Sequence, residues 1–277
     1  MRIRFEDVTF HYENMPVRRN VLESLTFEIG EDDFVGIIGA SGSGKTTLIQ
    51  HVTGLLLPSS GRVLIDGRPL AGEGVDLGDI RARIGIVFQF PESQLFEETV
   101  YADVAFGPRN LGLSEEEIKH RVDESLRLVG LETDHFAERS PFHLSEGEKR
   151  RVAIAGVIAM NPDVLILDEP TACLDPEGVR IIEEILRGLY RLGKQIVIVS
   201  HHMDFIVRLC NRIIVLQNGK MIYDGDKRSI FARSEVLMQA NILIPRVMQV
   251  AKRLFDNHVI ENGDIFSAVE LRKLLTE

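Results

Sequence analysis

Short apolar runs rich in β-branched residues recur along the chain at residues 34–39, 84–89, 164–168, 196–200 and 213–217. Longer stretches of helical character separate them, and that alternation predicts an α/β fold: a parallel sheet covered by helices on both faces. Two further segments predict antiparallel strands. One is residues 3–10 at the N-terminus; the other is residues 61–66, which run into the turn pair Asp66-Gly67. From about residue 113 to residue 159 the character becomes helical, opening with Ser114-Glu115-Glu116-Glu117, a capping box that starts an amphipathic segment. This stretch predicts a helical insertion in the α/β core.

The last part of the chain differs in charge. Residues 231–277 carry six basic and six acidic residues, so the whole formal charge of -10 belongs to residues 1–230, and a boundary near 230 follows. Within this tail Val247, Val250, Ala251, Leu254 and Phe255 recur at helical spacing, and Ser267-Ala268-Val269-Glu270 is a second capping box leading into Leu271, Leu274 and Leu275. Pro245 separates two helices there.

Composition narrows the class. With 277 residues, 44% hydrophobic and 27% charged, the chain buries a sizeable core as one large domain with at most a small appendage, and disorder is excluded. Lys+Arg of 32 against Asp+Glu of 42 argues against nucleic-acid binding through phosphate neutralisation. Cys173 and Cys210 offer no disulfide framework and no metal cluster, which suits a reducing compartment. No run approaches the roughly 20 apolar residues of a membrane helix, and the N-terminus alternates like a strand rather than a signal peptide. Residence in the cytoplasm is the expectation.

The candidate chemistry lies in Gly39-Ala40-Ser41-Gly42-Ser43-Gly44-Lys45-Thr46-Thr47, which follows an apolar strand and precedes a helical run. That is the context of a phosphate-binding loop. Its glycines let backbone N–H groups converge on a β-phosphate at a helix N-terminus. Lys45 supplies a point charge to the β- and γ-phosphates, and the Thr46 hydroxyl can ligate Mg²⁺. Downstream, the buried strand 164–168 ends in Asp168 and Glu169 beside the ligand crevice. Adjacent residues point to opposite faces, so the two carboxylates have different tasks: Asp168 near Mg²⁺, Glu169 polarising the water that attacks a γ-phosphate. Together these motifs define a P-loop NTPase.

A third motif, Leu144-Ser145-Glu146-Gly147-Glu148-Lys149-Arg150-Arg151, opens a helix upstream of Asp168. With Gln89 after a strand, Asp175 in Thr171-Ala172-Cys173-Leu174-Asp175, and His201 after the strand 196–200, the order resembles the ATP-binding cassette (ABC) family over residues 1 to about 230. The resemblance implies a P-loop NTPase core of the ABC type with an antiparallel β subdomain, a helical subdomain at about 90–160, and a C-terminal helical appendage at 231–277. It implies that Tyr12 stacks on adenine and that Gln89 senses Mg²⁺ and the γ-phosphate. It also makes Asp175 the D-loop residue at a dimer interface and His201 the switch histidine. Tyr12 could instead merely pack. His202 is then a helix-start residue. Ser145 and Glu148 also form a capping box, compatible with presenting a helix N-terminus to a partner's γ-phosphate.

The run Gln89-Phe90-Pro91-Glu92-Ser93-Gln94-Leu95-Phe96, then Ala105-Phe106-Gly107-Pro108, resembles ATPase subunits of energy-coupling factor importers, which take up vitamins and metal ions. The same holds for Ser200-His201-His202-Met203-Asp204. The resemblance implies MgATP hydrolysis at the cytoplasmic membrane face, a second ABC ATPase subunit, a transmembrane coupling subunit and a substrate-binding membrane subunit. Leu95 and Phe96 would line a groove for a membrane partner's helix, or else be ordinary core. The alternative is a soluble ABC ATPase acting on nucleic acid or ribosomes, but no long heptad run and no second cassette are present. The family pattern has glycine at the place of Glu146 and glutamine at that of Glu148. A carboxylate about 6 Å from a phosphate charge costs roughly 3 kcal/mol at an effective dielectric of about 20, which favours a heterodimer over a homodimer with two altered signatures. The competing view is that both carboxylates favour the positive end of the helix.

Overall fold

The computed structural model describes residues 1–277 apart from 14–18, 73–76, 91–93, 233, 262, 264 and 277. Its strands are β1 (Ile3–Phe10), β2 (Leu22–Ile29), β3 (Phe34–Ile38), β4 (Ser60–Ile65), β5 (Arg68–Pro69), β6 (Ile84–Val87), β7 (Val164–Asp168), β8 (Gln195–Val199), β9 (Arg212–Gln217) and β10 (Lys220–Asp226). Helix α1 (Lys45–Val52) follows β3 and α2 (Leu77–Arg83) precedes β6. Between β6 and β7 come α3 (Val100–Asn110), α4 (Glu115–Leu128), α5 (Thr133–Phe136) and α6 (Glu146–Ile158). Helices α7 (Pro176–Arg191) and α8 (Met203–Leu209) flank β8, and α9 (Lys227–Ala232), α10 (Ser234–Gln239), α11 (Arg246–Asp256) and α12 (Ala268–Thr276) end the chain.

The five apolar runs become β3, β6, β7, β8 and β9, parallel to one another in the order β9-β3-β8-β7-β6, with β10 antiparallel at the edge beside β9. Strand periodicity divides their side chains between two cores. Ile38, Leu165, Leu167, Ile196, Ile198 and Val215 face one core, shared with the helices α3, α4, α6, α7 and α8. Val35, Ile37, Ile166, Val197, Val199 and Ile214 face the other. Helices stand on both faces, as expected, but on the second they share the cover with a sheet. The second face is covered by α1 and by the antiparallel sheet β2-β1-β4-β5, whose inward Phe5 and Phe27 stack at 4.6 Å. A sheet apolar on one face satisfies an open apolar face as well as a layer of helices does.

The insertion before β7 is helical, as its periodicity implies. Ser114 caps α4 by accepting the Glu117 N–H at 3.3 Å, but the Glu117 carboxylate pairs with Arg121 at 2.8 Å, so this box is half formed. In α6 the box is complete, and Ser267 and Glu270 exchange both bonds ahead of α12.

The tail does not stand apart. Leu237, Ala240, Met248 and Phe266 join the helical core of the main body, and Lys227 donates to the Val207 carbonyl at 2.8 Å while lying 4.8 Å over the Phe266 ring. Ala251, Ile260 and Ile265 form a small cluster of their own. Val250, Phe255, Val259, Val269, Leu274 and Leu275 are left exposed.

Because Leu237 is fully buried in the shared core, Leu237→Ala should lower unfolding stability by about 3 kcal/mol, in the range for buried leucines. Urea unfolding measures this, and a loss below about 1 kcal/mol would mean that the tail is not seated on the main core.

Candidate functional site

Parallel strands deliver their C-terminal ends to one edge of the sheet, and that edge holds the candidate site. The loop after β3 turns tightly over β9. A Cβ on Gly39 would lie 2.3 Å from the Leu216 carbonyl oxygen, and Gly44, at φ +103°, would bring one within 2.8 Å of the Val21 carbonyl oxygen. Only glycine fits these approaches, and Gly44 is the N-cap of α1. Lys45 folds back, donating to the carbonyls of Gly39 at 2.8 Å and Ala40 at 3.0 Å. Burial pushes its ammonium below the ordinary lysine range, opposed by Glu169 and Asp168.

Asp168 and Glu169 have separate partners, as their opposed directions imply. The Thr46 hydroxyl donates to Asp168 Oδ2 at 2.9 Å. Burial raises the Asp168 pKa, the Thr46 bond lowers it, and the Glu169 charge raises it further, leaving the net shift upward. Glu169 is 8% exposed and sits at φ +47°, in the left-handed region. Such strain persists where surrounding bonds over-determine it. The Glu169 N–H donates to the Val199 carbonyl at 2.8 Å. Its Oε2 accepts the Ser200 hydroxyl at 2.8 Å, and its Oε1 accepts the His201 N–H at 3.0 Å and lies 2.6 Å from His201 Nδ1. Ser200 was not singled out by sequence reasoning; its position directly after a strand end was the available signal. His202 sits at the N-cap position of α8 without a side-chain capping bond, and its N–H donates to Ser200 Oγ at 3.0 Å.

These groups line a cleft of about 1160 Å³ that contains the loop residues Gly39, Ala40, Ser41, Gly42, Gly44, Lys45, Thr46 and Thr47 together with Gln89, Asp168, Glu169 and His201. Ser43 is buried beneath the loop. Tyr12 stands beside the cleft. Its hydroxyl lies 3.2 Å from Thr47 Oγ1 and its ring meets Phe10 edge-on at 4.9 Å. Phe10 meets buried His51 at 4.7 Å; His51 Nδ1 lies 2.7 Å from the Thr47 carbonyl oxygen, and burial lowers the pKa of the ring.

Ser145, Glu146, Gly147, Glu148 and Asp175 gather elsewhere, around a second cleft of about 380 Å³. Within one chain the two sets do not meet. Glu148 Oε2 accepts both the Ser145 N–H at 2.8 Å and the Ser145 hydroxyl at 2.7 Å, while Glu146 pairs with Lys149 at 2.9 Å. For Glu148, burial raises the pKa but the two Ser145 bonds and the charges of Arg139 and Arg151 outweigh it, so the carboxylate is held below its ordinary range. Asp175 caps α7 by accepting the Gly178 N–H at 2.7 Å.

A third groove of about 360 Å³ runs between Leu95, Phe96, Phe106, Gly107 and Val157. Leu95 is buried, whereas Phe96 is 55% exposed and meets Phe106 edge-on at 4.8 Å. Pro91, Glu92 and Ser93 lie outside the described residues. Among those residues no group of three or more His, Cys, Asp and Glu could hold a metal alone, and no helix is long and apolar enough to cross a membrane.

Known proteins share both the sequence and the shape. The family described as “ABC transporter” matches residues 22–172. The energy-coupling factor transporter ATP-binding protein EcfA2 of Caldanaerobacter subterraneus subsp. tengcongensis is 46% identical over 275 residues, covering 99% of this chain and 96% of that protein. Its counterpart in Clostridium perfringens is 43% identical over 279 residues, covering 100% and 98%. The solved structure of cbiO1 from Clostridium perfringens, part of the ABC transporter complex cbiONQ, matches with a TM-score of 0.77 at 39% identity, over 90% of this chain and 98% of that one. A dimeric ATP-binding cassette in a post-hydrolysis state bound to ADP and Pi matches at 0.73 and 31% identity, over 81% and 98%.

The raised pKa of Asp168 has a consequence for stability. The folded state keeps its proton to higher pH than the unfolded chain does, so this group costs stability as pH rises from the ordinary carboxylate value through the raised one. Asp168→Asn should therefore raise the melting temperature of the nucleotide-free protein at pH 8 and leave it nearly unchanged at pH 3. An equal shift at both pH values would show that the buried charge is not the cause.

Proposed function

The chain belongs to the ABC transporter family and is an ATP-hydrolysing enzyme, and on that premise we propose that it is the ATPase subunit of an energy-coupling factor importer. It would work at the cytoplasmic face of the membrane, coupling MgATP binding and hydrolysis to uptake of a vitamin or metal ion through separate membrane subunits. The observation that carries this reading is the pair of half-sites. One chain has the cleft at Lys45 and, on another surface, the cleft at Ser145, and a head-to-tail second cassette would close one on the other.

On ATP binding Lys45 must release the Gly39 and Ala40 carbonyls for the β- and γ-phosphates. The backbone N–H groups of the loop receive the phosphates, and Tyr12 stacks on adenine once it gives up Thr47. Thr46, Asp168 and Gln89 would hold Mg²⁺ through their hard oxygen donors. When bound, the ion neutralises charge on the phosphates. Glu169, fixed by Ser200 and His201, orients and polarises the attacking water; His201 adjusts that carboxylate as the switch residue.

A different ATPase subunit is the favoured partner. Glu148 draws the Ser145 hydroxyl onto itself, so this signature offers a partner's γ-phosphate less than the family pattern does. The exposed apolar residues of 231–277 supply a second, nucleotide-independent contact for a dimerisation appendage. The groove at Phe96 receives a cytoplasmic helix of the transmembrane coupling subunit. A formal charge of -10 argues against the alternative of binding nucleic acid or ribosomes.

Glu169→Gln should lower kcat about a hundredfold or more while leaving the Kd for MgATP within about twofold, since it removes the base and keeps the cleft. Wild-type turnover in that variant would sink the role of Glu169. Purification of the wild-type chain from membranes should recover two membrane proteins and one ATPase of different sequence. Phe96→Asp should release the membrane proteins and keep the ATPase pair, whereas Val269→Asp/Leu274→Asp should weaken that pair without nucleotide. Recovery of ribosomes, or of two copies of this chain, would overturn the reading.

A further inference from the structure

Arg150 is a buried cation whose guanidinium reaches two loops. It lies in the second turn of α6 and is 3% exposed. One terminal nitrogen of its guanidinium donates to the Phe88 carbonyl at 3.4 Å, and the other donates to the Ala172 carbonyl at 3.4 Å. Phe88 directly precedes Gln89, and Ala172 lies between Glu169 and Asp175. Both carbonyls belong to backbone beyond the ends of β6 and β7. An apolar side chain of similar length would fill the space without desolvating a charge, so packing alone does not account for the arginine. A planar guanidinium can hold two acceptors at a fixed separation, which a lysine cannot.

We propose that Arg150 is a positioning residue that makes the start of α6, the loop carrying Gln89 and the loop carrying Asp175 move as one unit. Occupancy of this chain's own phosphate cleft is thereby transmitted to the surface that closes on its partner's nucleotide. The inference rests on the ABC ATPase reading. Gln89 lines the first cleft while Ser145 and Asp175 line the second, and the guanidinium is bonded to backbone leading to each. Movement of Gln89 toward a γ-phosphate displaces the Phe88 carbonyl, and the rigid fork carries that displacement into α6 and the Ala172 loop. Coupling of this kind needs contiguous packed groups, and the Arg150 guanidinium is one that reaches both loops.

Hydrogen exchange of the full chain with and without MgATP tests the proposal. In the wild type, MgATP should protect residues 41–47 and also 145–149 and 172–176. In Arg150→Met the protection at 41–47 should persist, while the response at the other two segments falls about tenfold. In the assembled enzyme that variant should lose about tenfold in kcat with the Kd for MgATP within about twofold. Arg150→Gln, which can reach one carbonyl, should recover part of both. Wild-type protection at 145–149 in Arg150→Met would overturn the proposal, and so would loss of protection everywhere, which is the mark of a merely structural role. If Arg150→Met does not fold, Arg150→Gln decides, since an unchanged response there overturns it equally. Absence of protection at 41–47 in the wild type would instead refute the functional reading.

Discussion

The parallel registration of β3, β8 and β7 is the constraint on which the rest depends. Ile37 stands opposite Val199, and Val199 stands opposite Asp168, so three strands end on one row. The backbone carries that row one step further. The Ser200 N–H donates to the Ile37 carbonyl at 3.2 Å, and the Glu169 N–H donates to the Val199 carbonyl at 2.8 Å. Shifting one strand by a residue would turn its side chains to the opposite face and break both cores along with the site. Catalytic geometry and hydrophobic burial are therefore one requirement here.

That edge gathers charge that the fold alone would not favour. Asp168 is buried enough for its pKa to rise, Lys45 enough for its own to fall, and Glu169 holds a left-handed backbone. The first is a cost in the nucleotide-free state that a bound cation can relieve, and the second one that a bound phosphate can. The hydrogen bonds of Ser200 and His201 keep Glu169 in place meanwhile. Interactions present before the reaction cost no reorganisation during it.

The second cleft shows the same economy of groups used twice. Ser145 is the cap of α6 and, in the proposed assembly, would also face a partner's phosphate; Glu148 closes the cap at the expense of the free hydroxyl. A helix cap is a local need, satisfied in every state of the monomer. Contact with another chain's phosphate exists only in the assembly.

Local patterns in the sequence determined most of the sheet, the phosphate loop and both carboxylates. Runs such as 164–168 are apolar on both faces, and glycines such as Gly44 are demanded by backbone geometry that no neighbour can alter. The caps at Ser145 and Ser267 were legible for the same reason, since their partners lie three residues away. Tertiary structure decided the rest. It set a sheet beside α1 over Val35 and Ile37, and it turned Glu117 toward Arg121 instead of its cap. It seated Leu237 and Phe266 in the main core, and it aimed Ser200 at Glu169 and Arg150 at two loops. These contacts join residues distant in sequence, or choose between partners equally near. Side-chain pattern along the chain carries no record of that choice.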